Sequence, residues 1–256
     1  MYAETTSELV ARGLSVYSFD WRGQGGSSRP LLDSRKSHVD HFDDYLDDLE
    51  RFVHLVWQPQ SPCYLITHSM GGHLALRFLA ERAFNVDGAL LCAPMVDIKT
   101  RRWQRKIASL MVDGMLALGL AGTSIPGSRS YEPEYRQFNN NPLTSDPERF
   151  ARLPRLAREK PELTVGGPTF GWVGAAFESM DLLGKPGSVE SVDSPITLLV
   201  GDADIIIDLE AARNLSRRIG TCRLEIVEGA RHEIMQESDP IRSVFWRFVD
   251  GMLGDS

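Results

Sequence analysis

"CYLITHSMGGHLALRFLAER", residues 63–82, decides how this chain is read. An apolar run from Tyr64 to Ile66 meets Thr-His-Ser-Met-Gly-Gly, and apolar residues at helical spacing follow at once from Met70 to Arg82. A strand that turns directly into a helix leaves the residue at the corner pushed out at the carboxyl end of a sheet, and that residue is Ser69. The small Gly71 and Gly72 let the helix lie close to the strand. A serine in this place can also be a plain helix cap. As a nucleophile it would have the backbone N–H of Met70 beside it to help hold an oxyanion. The elbow pattern G-x-S-x-G would put glycine where Thr67 stands. Threonine accepts an extended backbone and resists a positive φ, so the corner forms if position 67 ends the strand.

The rest of the chain repeats this alternation. Leu14–Phe19, Gly88–Cys92, Ile196–Val200 and Arg223–Val227 are further strand-like runs, several continuously apolar, as in a parallel sheet covered on both faces. Leu209–Ile219 and Ile241–Met252 read as helices. In "HVDHFDDYLDDLERFVHLVW", residues 38–57, Phe42, Tyr45, Leu46, Leu49, Phe52, Val53 and Val56 recur at three and four. Asp43, Asp44, Asp47 and Asp48 lie in its first turns, a solvated face that suits the positive end of the helix dipole. The whole is an α/β fold, a mostly parallel sheet flanked by helices. Residues 96–192 break the rhythm with an apolar helix pattern, "KIASLMVDGMLALGLAG", a Pro/Asn-rich stretch and the turn-laden "TVGGPTFGW". So long an interruption is not a loop. The sequence predicts a first core part over 1–95, a mainly helical insertion over 96–192 and a second core part over 193–256.

Composition excludes several functions. The 256 residues are 42% hydrophobic and 25% charged with a net charge of -7, so the chain is globular and its acidic surface repels a nucleic-acid backbone. Cys63, Cys92 and Cys222 have no C-x-x-C spacing and lie in strand-like runs, as buried free thiols in a reducing compartment. "MYAETTSELVARG" lacks the basic start and apolar core of a signal peptide, and no apolar run reaches membrane-spanning length. A soluble cytoplasmic protein is expected.

A serine hydroxyl becomes a nucleophile when a base takes its proton and a third group orients that base. His232, in "VEGARHEI", follows the strand that ends at Val227. His38, His41 and His54 belong to or adjoin the acidic helix, His73 lies on the helix behind the corner, and His68 flanks Ser69 as a packing residue. For the acid, "PITLLV" runs into "GDADIIID": Asp208 is placed to cap the next helix, and Asp202 and Asp204 both follow the strand's carboxyl end, where ligands gather in α/β sheets. Ser, Asp, His is the chain order a serine hydrolase uses on this topology.

The chain resembles the α/β-hydrolase superfamily, in particular bacterial lysophospholipases akin to monoacylglycerol lipases. The resemblance runs through "YSFDWRGQGGSS", "HSMGGHLALRFL", "FNNNPLTSDPERF", "GGPTFGW", "LLVGDADIIID" and "EGARHEIMQESD". It implies Ser69 as nucleophile, Asp204, three after Gly201, as acid, His232 as base and Met70 N–H as an oxyanion donor, with no metal or organic cofactor. It implies that the insertion is a helical cap over an acyl pocket, and that the substrate is a small-molecule lipid ester. It also implies strands and a His-Gly loop upstream of Met1, so the natural chain is expected to be longer and the sheet here to lack its N-terminal part. Alternatives are a general carboxylesterase or thioesterase, and a catalytically weak, hydrolase-like binding protein.

"WRGQGGSS" fails the G-x-G-x-x-G spacing and reads as a turn rather than a phosphate loop. Arg101, Arg102, Arg105 and Lys106 precede the apolar helix pattern. That pairing suits weak peripheral contact with an anionic membrane face through the cap, or a helix whose apolar side lines the pocket and whose basic end is solvated. Phe170 and Trp172 read as packing residues.

Overall fold

Four apolar runs pair into one parallel sheet in the computed structural model, which describes residues 2–58, 60–82, 84–128 and 137–254. The strands are β1 (Tyr64–His68), β2 (Gly88–Cys92), β3 (Ile196–Gly201) and β4 (Cys222–Val227), hydrogen-bonded in the order β1-β2-β3-β4. His68 lies opposite Cys92, and Gly201 opposite Val227. The carboxyl ends of the strands therefore line one rim of the sheet. Around it stand α1 (Ala3–Ala11), α2 (Asp43–Val56), α3 (Met70–Glu81), α4 (Arg102–Ala117), α5 (Pro147–Glu159), α6 (Phe170–Gly184), α7 (Leu209–Ser216) and α8 (Asp239–Gly254).

The two central strands, β2 and β3, read as nearly continuous apolar runs because both faces are covered. Leu91, Ile196 and Leu198 pack on one face against Leu76 and Leu79 of α3 and Leu215 of α7. Leu90, Cys92 and Leu199 pack on the other against Leu9 of α1 and Phe245 and Val249 of α8. The crossovers β1-α3-β2 and β3-α7-β4 advance in the same direction, and a fixed crossover hand puts their helices on the same face. A further cluster joins Tyr45, Leu46 and Leu49 of α2 to Leu74 and Phe78 of α3 and Met180 of α6. Phe170 and Trp172 are packing residues: Phe170 is buried and Trp172 meets Phe42 edge-on with ring centroids 5.5 Å apart.

Between β2 and β3 the described residues form α4, α5 and α6 and no strand. Isolated bridges are among the ties of this segment to its neighbours, Ile98 with Ile207 and Pro168 with Ser37.

Three expectations need correction. Leu14–Phe19 forms no strand and among the described residues joins no ladder. Leu14 and Val16 touch one apolar cluster and Phe19 another, while Tyr17 is exposed. Apolar character brought the segment to the core, and a strand also needs a neighbouring backbone to bond. The acidic face of α2 is not simply solvated: Asp43 binds Arg77, Asp44 and Asp48 bind Arg22, and Asp47 binds Arg82. These arginines come from other segments, so helix periodicity could not reveal them. Of the cysteines, all free, Cys92 is buried and Cys63 and Cys222 are half-buried.

One glycine sets the distance between the two loops beyond β3 and β4. A Cβ on Gly201 would lie 2.6 Å from the carbonyl carbon of Ala230, a backbone group that cannot swing away. That carbonyl accepts the N–H of Ala203, and Asp202 N–H bonds to Val227 O. Gly201→Ala is expected to cost about 3 kcal/mol by overpacking, read as a lower urea midpoint; an unchanged midpoint would show that the loops can move apart freely.

Candidate active site

Ser69 sits between β1 and α3 with φ 50° and ψ -115°, a conformation that a non-glycine residue rarely adopts. Three backbone hydrogen bonds hold it there. Its N–H donates to Cys92 O, and its carbonyl accepts from His73 N–H and Met95 N–H. Thr67 stays extended within β1, opposite Leu91. Gly72 allows the close approach behind the corner: a Cβ there would lie 2.8 Å from Pro94 Cβ and 3.4 Å from Thr67 Oγ1. The Ser69 side chain makes no helix-capping bond, which removes the plain-cap reading. Met70 is the first residue of α3, where a backbone N–H has no acceptor within the helix. It is therefore free to face a negative oxygen.

The Ser69 hydroxyl lies 3.1 Å from His232 Nε2, and His232 Nδ1 lies 2.8 Å from Asp204 Oδ2. Asp204 is an acceptor when ionised, which assigns the proton to Nδ1 and leaves Nε2 to accept from the Ser69 hydroxyl. The other Asp204 oxygen accepts from the N–H groups of Ile206 at 2.7 Å and Ile207 at 3.3 Å. Asp204 and His232 are both buried. Asp202, which the residues alone left open beside Asp204, is exposed and accepts Gly229 N–H at 2.7 Å. Asp208 caps α7 by accepting from Glu210 and Ala211.

The remaining histidines separate by their partners. His73 is fully buried between Met95 O and Ser179 Oγ, and burial, with Arg77 nearby, lowers its pKa to about 3. His38 bonds Thr169 Oγ1 at 2.7 Å. His68 does more than pack. Its Nε2–H donates to His232 O at 3.0 Å, and its ring meets the His232 ring edge-on at 4.6 Å. Burial holds the His68 pKa below its ordinary value. Sequence reasoning passed over this contact because it links a β1 residue to a backbone carbonyl far along the chain. It also passed over Glu237, which is completely buried beneath the His232 loop. The available signal was a carboxylate set among buried Ile234, Met235 and Gln236.

Two open clefts are remote from this site. One, of about 660 Å³, is rimmed by paired charges including Glu4, Arg12 and Arg242, and the other, of about 740 Å³, lies at the amino ends of β2 and β3. Among the described residues no group of His, Cys, Asp and Glu is arranged to hold a metal ion.

The Asp204 carboxyl titrates below the usual carboxylate range. Burial pushes it up, and the His232 hydrogen bond and charge with the Ile206 and Ile207 N–H groups outweigh that. A depressed acid stabilises the fold fully above its unfolded value of about 4, and this contribution is lost as pH falls through the lower folded value. Asp204→Asn should therefore flatten the loss of stability on acidification below pH about 4. If this group orients a base, it should also lower kcat on a short ester about ten-thousand-fold. Acid unfolding curves and initial rates at neutral pH check the two effects separately.

Comparison with known proteins places these features in context. The family described as "Serine aminopeptidase, S33" matches residues 1–239. The probable lysophospholipase L2 of Haemophilus influenzae is 28% identical over 254 residues, covering 98% of this chain and 79% of that protein. Lysophospholipase L2 of Escherichia coli K12 is 31% identical over 261 aligned positions, covering 95% of this chain and 73% of that protein. Among solved structures, monoacylglycerol lipase from Paleococcus ferrophilus superposes with a TM-score of 0.73 at 21% identity, covering 100% of this chain and 89% of that one.

Proposed function

The chain belongs to the serine aminopeptidase S33 family of α/β hydrolases, and from that premise we propose that it cleaves carboxylic esters of single-chain glycerolipids through an acyl-enzyme on Ser69. The observation that carries this reading is the continuous line from Asp204 Oδ2 through the His232 ring to Ser69 Oγ, at a corner where serine is held in a strained backbone. In this mechanism Ser69 Oγ attacks the ester carbonyl while His232 Nε2 takes its proton. The carbonyl oxygen becomes an oxyanion beside the Met70 N–H. His232, now an imidazolium stabilised by Asp204, returns the proton to the leaving glycerol oxygen. Water then repeats the sequence on the acyl-enzyme and frees the fatty acid.

Lysophospholipids and monoacylglycerols are the preferred substrates in this reading, because relatives that match nearly all of the chain are named lysophospholipases and monoglyceride lipases. A peptidase that captures a free amine needs carboxylates left open beside the site. Asp97 and Asp181, which come together in the segment between β2 and β3, are both bound by Arg105. Those acids are already occupied.

The same segment supports contact with a lipid surface. Trp103, Ile107, Leu110 and Met111 form an exposed apolar stripe on α4, extended beyond the helix by exposed Leu118 and Leu120. The opposite side of α4 is the one that packs: Val112 is buried and, with Leu116, lies against Gly174 of α6. The apolar stripe thus faces outward, with exposed Arg101 and Lys106 near it. Insertion of such a stripe into the headgroup region, helped by anionic lipid, would deliver a lysolipid directly from the bilayer. No helix among the described residues is long and apolar enough to cross a membrane. We place the protein in the cytoplasm, peripherally at the inner membrane face.

A fluorophosphonate probe should label the wild type and leave Ser69→Ala unlabelled. Fatty-acid release from lysophosphatidylcholine and monooleoylglycerol should disappear in the same variant. Labelled protein that releases fatty acid from neither lipid, yet cleaves short esters or thioesters, would move the substrate to that class. In flotation with vesicles containing phosphatidylglycerol, the wild type should rise with the lipid and Trp103→Ser/Leu110→Ser should remain below; absence of flotation by the wild type would remove the membrane contact.

A further inference from the structure

The loop that carries His232 is bonded along its length to a loop of the segment between β2 and β3. His232 N–H donates to Pro142 O at 3.3 Å, and the next N–H, of Glu233, donates to Leu143 O at 2.7 Å. Arg231, on the other side of His232, places one guanidinium nitrogen on both Asn141 O, at 3.0 Å, and Thr144 O, at 2.9 Å. Thr144 Oγ1 closes the far end by donating to Gln236 O at 2.6 Å. The 141–144 loop is itself rigid, since Asn141 Oδ1 accepts from Leu143 N–H and Thr144 N–H, each at 2.9 Å.

One carboxylate joins the two loops from beneath. Glu237 Oε1 accepts Arg231 N–H at 2.9 Å, one residue before His232. Its other oxygen accepts Ser145 N–H at 2.9 Å, the Ser145 hydroxyl, and Ser238 N–H at 3.2 Å. Every one of these partners is a donor, so the position requires two acceptor oxygens. An amide would turn an NH₂ group toward an N–H, and a shorter or apolar side chain would leave buried N–H groups without partners. A fully buried carboxylate of this kind is not needed to cover an acyl pocket. One of its bonds ends on the backbone that delivers the base, at the Arg231 N–H.

We propose that Glu237 is a positioning residue for His232, acting through Arg231 and the 141–145 loop, so that the segment between β2 and β3 is part of what aligns the triad as well as a cover over it. The proposal rests on the reading of His232 as the base for Ser69. The site geometry makes it consequential, because His232 must hold Asp204 and Ser69 at once on opposite ring nitrogens, and a displacement of about 1 Å at such a group can cost about 100-fold in rate.

The test uses Glu237→Gln, Ser145→Ala and Arg231→Lys in the whole chain, with p-nitrophenyl butyrate as a small soluble substrate. Fluorophosphonate labelling of wild-type Ser69 first establishes the underlying reading independently; an unlabelled wild type would overturn that reading, and the proposal with it. With labelling in place, Glu237→Gln is expected to keep the wild-type circular dichroism and KM while kcat and the labelling rate fall about 10- to 100-fold. Ser145→Ala keeps the backbone bond and should lose a smaller factor of the same kind. Arg231→Lys, which reaches one carbonyl in place of two, should lie between. Folded Glu237→Gln with wild-type kcat overturns the proposal. Should that variant fail to fold, Ser145→Ala and Arg231→Lys decide: a lower kcat at unchanged KM in both supports positioning, and wild-type kcat in both overturns it.

Discussion

The positive φ of Ser69 is the constraint on which the site depends. A non-glycine residue in that conformation costs on the order of 1–3 kcal/mol, and persists where its surroundings over-determine it. Here they do so through the sheet itself. Ser69 N–H is bonded to the last residue of β2, and Met95, just past β2, donates to Ser69 O while α3 starts from the same carbonyl. Gly72 removes the side chain that would hold α3 away from Pro94. The strain is thus supported by the β1–β2 ladder and by α3, and of these β2 and most of α3 are buried. The serine hydroxyl is left at the rim, uninvolved in capping the helix it begins.

From this corner the remaining geometry follows the parallel sheet. Because β1 to β4 run in one direction and are ordered consecutively, the residues after β1, β3 and β4 emerge on the same rim. Ser69, Asp204 and His232 are far apart in sequence and meet without any long loop reaching across the core. Gly201 sets the last spacing, by allowing Ala230 O to approach the end of β3 so closely that the acid loop and the histidine loop share backbone bonds.

Much of this was legible in the residues, for a physical reason. A strand-turn-helix corner and residues just beyond apolar runs are local features, and periodicity records them. The choice between Asp202 and Asp204 was not local: both follow β3, and only the packing shows one buried on His232 and the other exposed on Gly229. The arginines that bind α2, the bond from His68 to His232 O and the bonds from Glu237 to Ser145 all join segments distant in sequence. Leu14–Phe19 shows the reverse limit. Its pattern suits a strand, but a pattern cannot supply the backbone that a ladder needs.

Residues 96–192 bring the two kinds of information together. Outwardly, α4 presents Trp103, Ile107, Leu110 and Met111 away from the body, a face whose burial within the chain would have been the simpler expectation. Inwardly, the loop before α5 is bonded to the His232 and Glu233 N–H groups and to the Arg231 guanidinium. α5 continues that connection, since Arg149 binds Glu237 O, Glu4 and Asp239. Motion of the 141–149 region would break its bonds to the His232 loop, whereas motion confined to α4 would leave them intact. Residues 96–192 are therefore divided mechanically into a part built onto the histidine loop and, in α4, an outward-facing part.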